Sequence, residues 1–447
     1  YRRLLEHRAA RPHLDESAPE IAVLKQELAR MMLGDHPDFN RLADRYLTLD
    51  DLFTIRSRLV GSGRIGGKAA GMLLARAILL REPGEHDFST LLETHDSFFI
   101  GSDVFFTFLV NNDLFRMRLQ LSKDGDVTPE EFETVERRFL EGRFPPNILE
   151  QFRALLDYFG QAPIIVRSSS LLEDSFGNAF AGKYRSEFCP NQGDPGTRLE
   201  AFLRAVKLVY ASALNPDALA YRRRRGLAGS DEQMAILVQR VSGAPFGRLF
   251  FPPLAGVAFS RNLYAWNDRI DPGRGMVRLV FGLGTRAVNR VGGDYPRMIA
   301  LSHPDLRPEV GTKIAKYSQH EVDVIDLDRN DCATLSSTDV FSRGEYPSVH
   351  LLVSEMAEGH VDDPATRLLR QPPAHWVLTF NNLLRKTTFV AVMDEMLRKL
   401  ERAYGRPVDT EFTVSIGPDK SVRINLLQCR PMWVPVVSEH VEVPDLP

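Results

Sequence analysis

Residues 162–182 read APIIVRSSSLLEDSFGNAFAG, and this stretch restricts the fold more than any other. Its first five residues are apolar and largely β-branched, which predicts a buried strand over Ala162–Val166. The strand runs directly into Arg167, three hydroxyls (Ser168, Ser169, Ser170), the acidic pair Glu173–Asp174, and small residues around Phe176 and Phe180. Arg167 is thereby expected at a strand end, where α/β proteins tend to place ligands. A guanidinium offers a rigid fork of donors suited to phosphate oxygens. Hydroxyls and glycine-exposed amides add donors at close range. Read alone, the run is equally compatible with a polar turn carrying one surface arginine.

The rest of the chain alternates helix and strand patterns, so an α/β or α+β architecture is expected. Residues 1–57 read as a helical extension, with Ile21, Leu24, Leu28, Met31 and Met32 forming one apolar stripe. Residues 66–81 read as a glycine turn feeding a buried helix. Thr128 and Glu131 form a capping box ahead of two helices over 128–157, with Pro129 at the first helical position. A helical pair follows over 197–225, then strands at 235–241, 256–260 and 278–282. A helix at 389–404 precedes a hairpin of 412–416 and 423–428. The basic run Arg222–Arg225 is expected to be a solvated helix end.

Composition sets the class. The 447 residues allow two or three domains or lobes, and 43% apolar with 26% charged residues is ordinary for a soluble globular chain. The net charge of −3 implies no general attraction to nucleic acid or membrane. Cys189, Cys332 and Cys429 form no CxxC pair, which fits a reducing cytoplasm better than a zinc site or disulfide scaffold. No apolar run approaches the ~18–20 residues that span a bilayer, and no signal peptide is visible. Because the sequence opens at Tyr1, some upstream chain is expected.

Two further segments carry phosphate chemistry. Residues 61–68 read GSGRIGGK. The spacing departs from a Walker A loop, and Ala69 stands where a hydroxyl should hold magnesium. A glycine turn before a helix still presents amides to an anion, and Lys68 adds a point charge; a tight helix entry with a solvated lysine reads equally well. Residues 407–432 read PVDTEFTVSIGPDKSVRINLLQCRPM. Asp409 and Glu411 share one strand face, as do Gln428 and Arg430 on the next strand. Paired carboxylates repel unless a cation sits between them, magnesium on nucleotide phosphates being the usual one. A solvated edge hairpin with cross-strand charge pairing is the alternative.

These segments resemble the nucleotide-binding domain of the phosphoenolpyruvate synthase and pyruvate phosphate dikinase family. The VRSSA-x-x-ED signature followed by FAG is matched at Arg167, Ser168, Ser169, Glu173, Asp174, Phe180, Ala181 and Gly182. It departs at Ser170, Leu172 and Lys183. The family's GGK motif is matched at Gly67 and Lys68. Its D-x-E-[WF]-x-[IV] and LLQ-x-RP ending is matched at Asp409, Glu411, Gln428, Arg430 and Pro431. Gln239 holds the place of the family's VVVQ glutamine. The GVAFSR, GLGT and GGDY segments fit more loosely, with Thr285 and Gly293 departing.

The resemblance implies an ATP-grasp-like, two-lobed domain with ATP and Mg2+ in the cleft. Residues 58–240 would form the N-terminal lobe, 241–432 the C-terminal lobe and 433–447 a tail. It implies that Lys68 and Gly67 hold phosphates, that Glu173 and Gln239 lie near the nucleotide, and that Asp409, Glu411 and Gln428 position magnesium. Arg430 and Arg167 would assist phosphoryl transfer. The family's T-x-H-[AS] phosphohistidine motif has no match, since His303 precedes Pro304. The acceptor is therefore expected to be a histidine on another segment or protein. The alternative readings are a small-molecule or glucan acceptor, or a non-catalytic ATP-sensing or scaffold module.

Overall fold

The computed structural model describes residues 1, 4–6, 16, 18–124, 127–172, 182–227, 232–289, 291–343, 346 and 348–432. Glu173, Asp174, Phe180, Ala181 and the 433–447 tail lie outside the described residues. The architecture mixes helices and sheets, as expected for α+β.

The helical extension comprises Pro19–Leu33, Pro37–Tyr46 and Leu49–Ser57, the last opened by a Thr48–Asp51 capping box. Ile21, Leu24, Leu28 and Met32 are buried as the stripe requires, whereas Met31 is 61% exposed. It stands about 100° around the helix from Met32, off the apolar face. The Thr128–Glu131 capping box forms and starts the Pro129–Glu141 helix, and Pro146–Phe159 follows.

The first sheet uses β1 (Leu59–Val60), β2 (Ser97–Ile100), β3 (Ile164–Ser170), β4 (Ser186–Cys189) and β5 (Met234–Arg240). Their spatial order is β1-β2-β5-β3-β4, and only β1 and β2 are parallel. The chain continues through β6 (Ala244–Phe246), β7 (Leu249–Phe251), β8 (Leu254–Phe259), β9 (Met276–Val280), β10 (Arg297–Ala300), β11 (Glu321–Asp326) and β12 (Asp331–Ser336). It closes with β13 (Val353–Ala357), β14 (His360–Asp362), β15 (Trp376–Leu378), β16 (Val408–Ile416) and β17 (Val422–Pro431). The second sheet, β10-β9-β8-β16-β17, is antiparallel; β12-β11-β7-β6 and β14-β13-β15 form two smaller ones.

β3 is longer than its apolar run predicts. Arg167 sits in mid-strand, paired with Leu237 and Ser186, rather than at a strand end. The strand can continue because its serines find partners inside: Ser169 Oγ donates to the Ile65 carbonyl at 2.8 Å, and Ser170 Oγ donates to Glu232.

Among the described residues, two large cores organise these layers, with two smaller clusters beside them. One packs Phe105, Phe108, Phe139, Phe152, Phe202 and Tyr210 against the first sheet. The other joins the N-terminal helices, the Gly67–Arg81 helix, the second sheet and the Phe389–Tyr404 helix. The Gly67–Arg81 helix is buried nearly throughout, which explains why its residues are apolar on every side. It lies so close to β17 that a Cβ at Gly71 would come within 2.2 Å of the Cys429 carbonyl oxygen. Arg222 corrects the expectation of a solvated basic run: it is 3% exposed, with its Nε 3.9 Å from Glu232. The Pro216–Arg224 helix thus buries the first arginine of the run against an acid, as a buried cation requires.

Candidate functional site

The two largest sheets meet along a cleft, and each contributes charged side chains to it. A cavity of about 430 Å³ lies there, within the range of small-molecule sites. Ile165, Phe188, Val241, Leu283, Val288 and Leu427 give it an apolar wall, and Lys68, Arg167, Gln239, Glu411, Gln428 and Arg430 give it a polar one.

Lys68 stands in the first turn of the Gly67–Arg81 helix, where the peptide dipoles favour an anion. Gly66 precedes this helix with φ +80°, and a Cβ there would fall 1.5 Å from the Ser169 carbonyl oxygen. Only glycine satisfies both demands. The turn is tied to β3 twice: Ser169 Oγ accepts from the Ala69 amide at 3.1 Å, and Lys68 Nζ donates to Ser168 Oγ at 3.4 Å.

Arg167 projects from β3 across the cleft. Its Nη2 donates to Gln428 Oε1 at 3.0 Å and to Glu411; its Nη1 donates to Gln239 Oε1 and to the Leu427 carbonyl, each at 3.4 Å. One guanidinium thus bonds to β5 within its own sheet and links that sheet to β16 and β17 of the other.

The hairpin extends further than its apolar positions indicate, and its register sets the charge pairing. Asp409 lies opposite Arg430 and Glu411 opposite Gln428, with an irregularity between Glu411 and Phe412. Arg430 Nε donates to both Asp409 oxygens, at 2.7 and 3.0 Å. Asp409 is therefore engaged by Arg430 and does not itself line the cavity. Burial alone would push the Glu411 carboxyl up, yet Arg167, Lys68 and Arg430 hold it below its ordinary 4.5. It is anionic at neutral pH. A carboxylate and an amide oxygen side by side suit a hard cation such as magnesium, so Glu411 and Gln428 fit that ion chemically.

The structure thus brings together Gly67, Lys68, Arg167, Gln239, Asp409, Glu411, Gln428 and Arg430; Glu173 lies outside the described residues. The loosely matching segment turns inward on itself: Arg286 pairs with Asp294 at 2.7 Å, Glu321 at 2.9 Å and Asp323 at 3.1 Å, while Thr285 faces both the cavity and Asp323. Sequence reasoning missed Tyr184, Phe188 and Thr413 as cavity-lining residues. Alternation on β4 and β16 could have flagged the last two, but which face meets the cleft depends on sheet packing. Glu85, His86 and Glu395 form a separate cluster. There Glu395 accepts from the amides of Glu85 and His86 at 2.9 and 3.1 Å and pairs with Lys399 at 3.2 Å, a set of contacts that fixes a chain turn.

Residues 62–444 match the family described as pyruvate phosphate dikinase, AMP/ATP-binding domain. An uncharacterized phosphotransferase of Bacillus subtilis (strain 168), YvkC, is 22% identical over 302 residues, covering 67% of this chain and 28% of that protein. A phosphoenolpyruvate synthase of Deinococcus radiodurans is 26% identical over 308 residues, covering 66% of this chain and 30% of that protein. The chain spans less than a third of the length of either relative. Among the described residues, no helix is long and apolar enough to cross a membrane.

Proposed function

The chain belongs to the pyruvate phosphate dikinase AMP/ATP-binding domain family, and from that premise we propose that it binds Mg-ATP in the cleft, within an ATP-grasp-like arrangement, and passes a phosphoryl group to a histidine on another segment or protein. The observation that carries this reading is the convergence of Lys68, Arg167 and Arg430 on one anionic oxygen donor, Glu411, at the polar wall of the cavity. Three cations against the two carboxylates Glu411 and Asp409 leave a net positive charge suited to a polyphosphate.

Each group has a physical task. Lys68, at a helix N-terminus, holds phosphate oxygens as a point charge. Arg167 and Arg430 stabilise charge spreading over the transferring group, in chemistry that is mostly positioning and electrostatics. Asp409 orients Arg430 through its two contacts with Nε. Glu411 and Gln428 would hold magnesium once Arg167, which donates to both, turns toward the phosphates, and Asp409 joins them only by releasing Arg430. Held there, the ion would supply positive charge to offset that of the phosphates. The apolar wall suits a purine face. The relatives' printed names, a phosphotransferase and a phosphoenolpyruvate synthase, agree with this class of chemistry.

The test is incubation with β- and γ-labelled ATP and magnesium, with and without proteins bearing candidate acceptor histidines, tracing each label. Acid-labile, base-stable label on an acceptor supports histidine transfer. Label moving to a small molecule or glucan reassigns the acceptor. Nucleotide binding with every label retained on nucleotide makes the chain a sensor or scaffold.

A further inference from the structure

Glu232, two residues before β5, is a fully buried acid with 0% exposure. Its two carboxylate oxygens serve different elements. Ser170, the last residue of β3, donates to Oε1, and the Tyr184 hydroxyl donates to Oε2 at 2.5 Å. Arg222 Nε approaches Oε2 to 3.9 Å, and Arg118 Nη2 donates to the Glu232 carbonyl at 2.8 Å. Ser170 Oγ also accepts from the Leu172 amide at 3.0 Å.

Burying a carboxylate with an arginine often stabilises a fold no more than apolar side chains of the same volume would. What the charge adds is direction, because each oxygen accepts along set geometries and fixes the hydroxyl that donates to it. The two hydroxyls held here are well chosen. Ser170 ends the strand that carries Arg167 three residues earlier, and Tyr184 lines the cavity two residues before β4 begins.

We propose that Glu232 is a positioning residue that locks the end of β3 to the Tyr184 wall of the cleft and so sets that wall against the bound nucleotide. This inference rests on the Mg-ATP reading of the cleft. Glu232 does not line the cavity and acts through Ser170 and Tyr184.

Tyr184→Phe and Ser170→Ala each remove one arm of the clamp while keeping most of the packing. Mg-ATP affinity by calorimetry and Tm by scanning calorimetry are measured for each, with affinity taken well below the lower Tm. The expected result is affinity about tenfold weaker in both variants, with the folded fraction unchanged at the assay temperature. A purely structural residue would lower Tm and leave affinity at the parent value, and that result in both variants overturns the proposal. Failure of the parent protein itself to bind Mg-ATP is a separate outcome, which sinks the nucleotide reading and the clamp together. If one variant does not fold, the other still decides.

Discussion

Glu411→Gln tests the electrostatics of the cleft at their centre. The carboxylate lies where Arg167, Lys68 and Arg430 meet, and Arg167 is itself 7% exposed. Removing the charge leaves a buried guanidinium without the acid it donates to. Breaking such pairs costs ~3–5 kcal/mol; because the Glu411 side chain is 20% exposed, the lower end applies, about 3 kcal/mol. At roughly 2 °C per kcal/mol for a large domain, the ligand-free protein should melt ~6 °C lower. The sign with pH follows from linkage. Glu411 has a folded pKa below 4.5, so its contribution is complete above that value and is lost as pH falls through the lowered folded value. The gap between parent and variant should therefore be constant near neutrality and narrow below pH ~4.5. Ligands separate the two roles assigned to this side chain. Mg-ATP affinity should fall by about tenfold or more, whereas magnesium-free pyrophosphate should stabilise the variant more than the parent, because it supplies the anion Arg167 has lost. The assay is differential scanning calorimetry from pH 3.5 to 8, with titrations of Mg-ATP and of pyrophosphate in chelator. A variant with the parent's Tm and the parent's magnesium dependence would refute both the buried-pair argument and the metal assignment.

Three more expectations follow from particular atoms. Arg430→Lys keeps the charge but loses the Nε that Asp409 orients, so single-turnover phosphoryl transfer should drop about tenfold or more, at least ~1.4 kcal/mol, while nucleotide affinity stays near the parent value; equal losses in both would count against a transition-state role. Gly66→Ala places a Cβ 1.5 Å from the Ser169 carbonyl oxygen at φ +80°, and strain plus overpacking should cost ~3–5 kcal/mol, read as a lower urea midpoint; an unshifted midpoint would show that the turn can open cheaply. Burial, with Arg76 and Arg58 nearby, brings His95 down to about 4. The unfolded chain then takes up a proton near pH 6.5 that the folded protein refuses, so stability should fall between pH 6.5 and 4 by up to ~3 kcal/mol, and His95→Gln should flatten that slope.

Much of the local structure was legible because its causes are local. The Thr128–Glu131 box needs only residues three apart, and it starts the helix that the sequence predicts. The two-residue spacing of Asp409 with Glu411 and of Gln428 with Arg430 places each pair on one face of its strand, and the hairpin register sets them opposite one another. Family motifs named most of the residues that line the polar wall of the cleft. Local patterns failed where a distant partner decided the outcome. Ser168, Ser169 and Ser170 look like the polar end of a strand, yet they continue it, because acceptors and donors from elsewhere in the chain meet them inside.

The sequence by itself determined the α+β class, the glycine turn ahead of Lys68 and the family motifs, since periodicity, capping and turn chemistry act over a few residues. Only the tertiary structure decided that Asp409 holds Arg430, that Glu411 is shared among three cations, and that Glu232 joins Ser170 to Tyr184. Arg167 meets Gln428 across 261 residues of chain, and such a contact depends on how two sheets pack and in what register, which no short stretch of residues encodes.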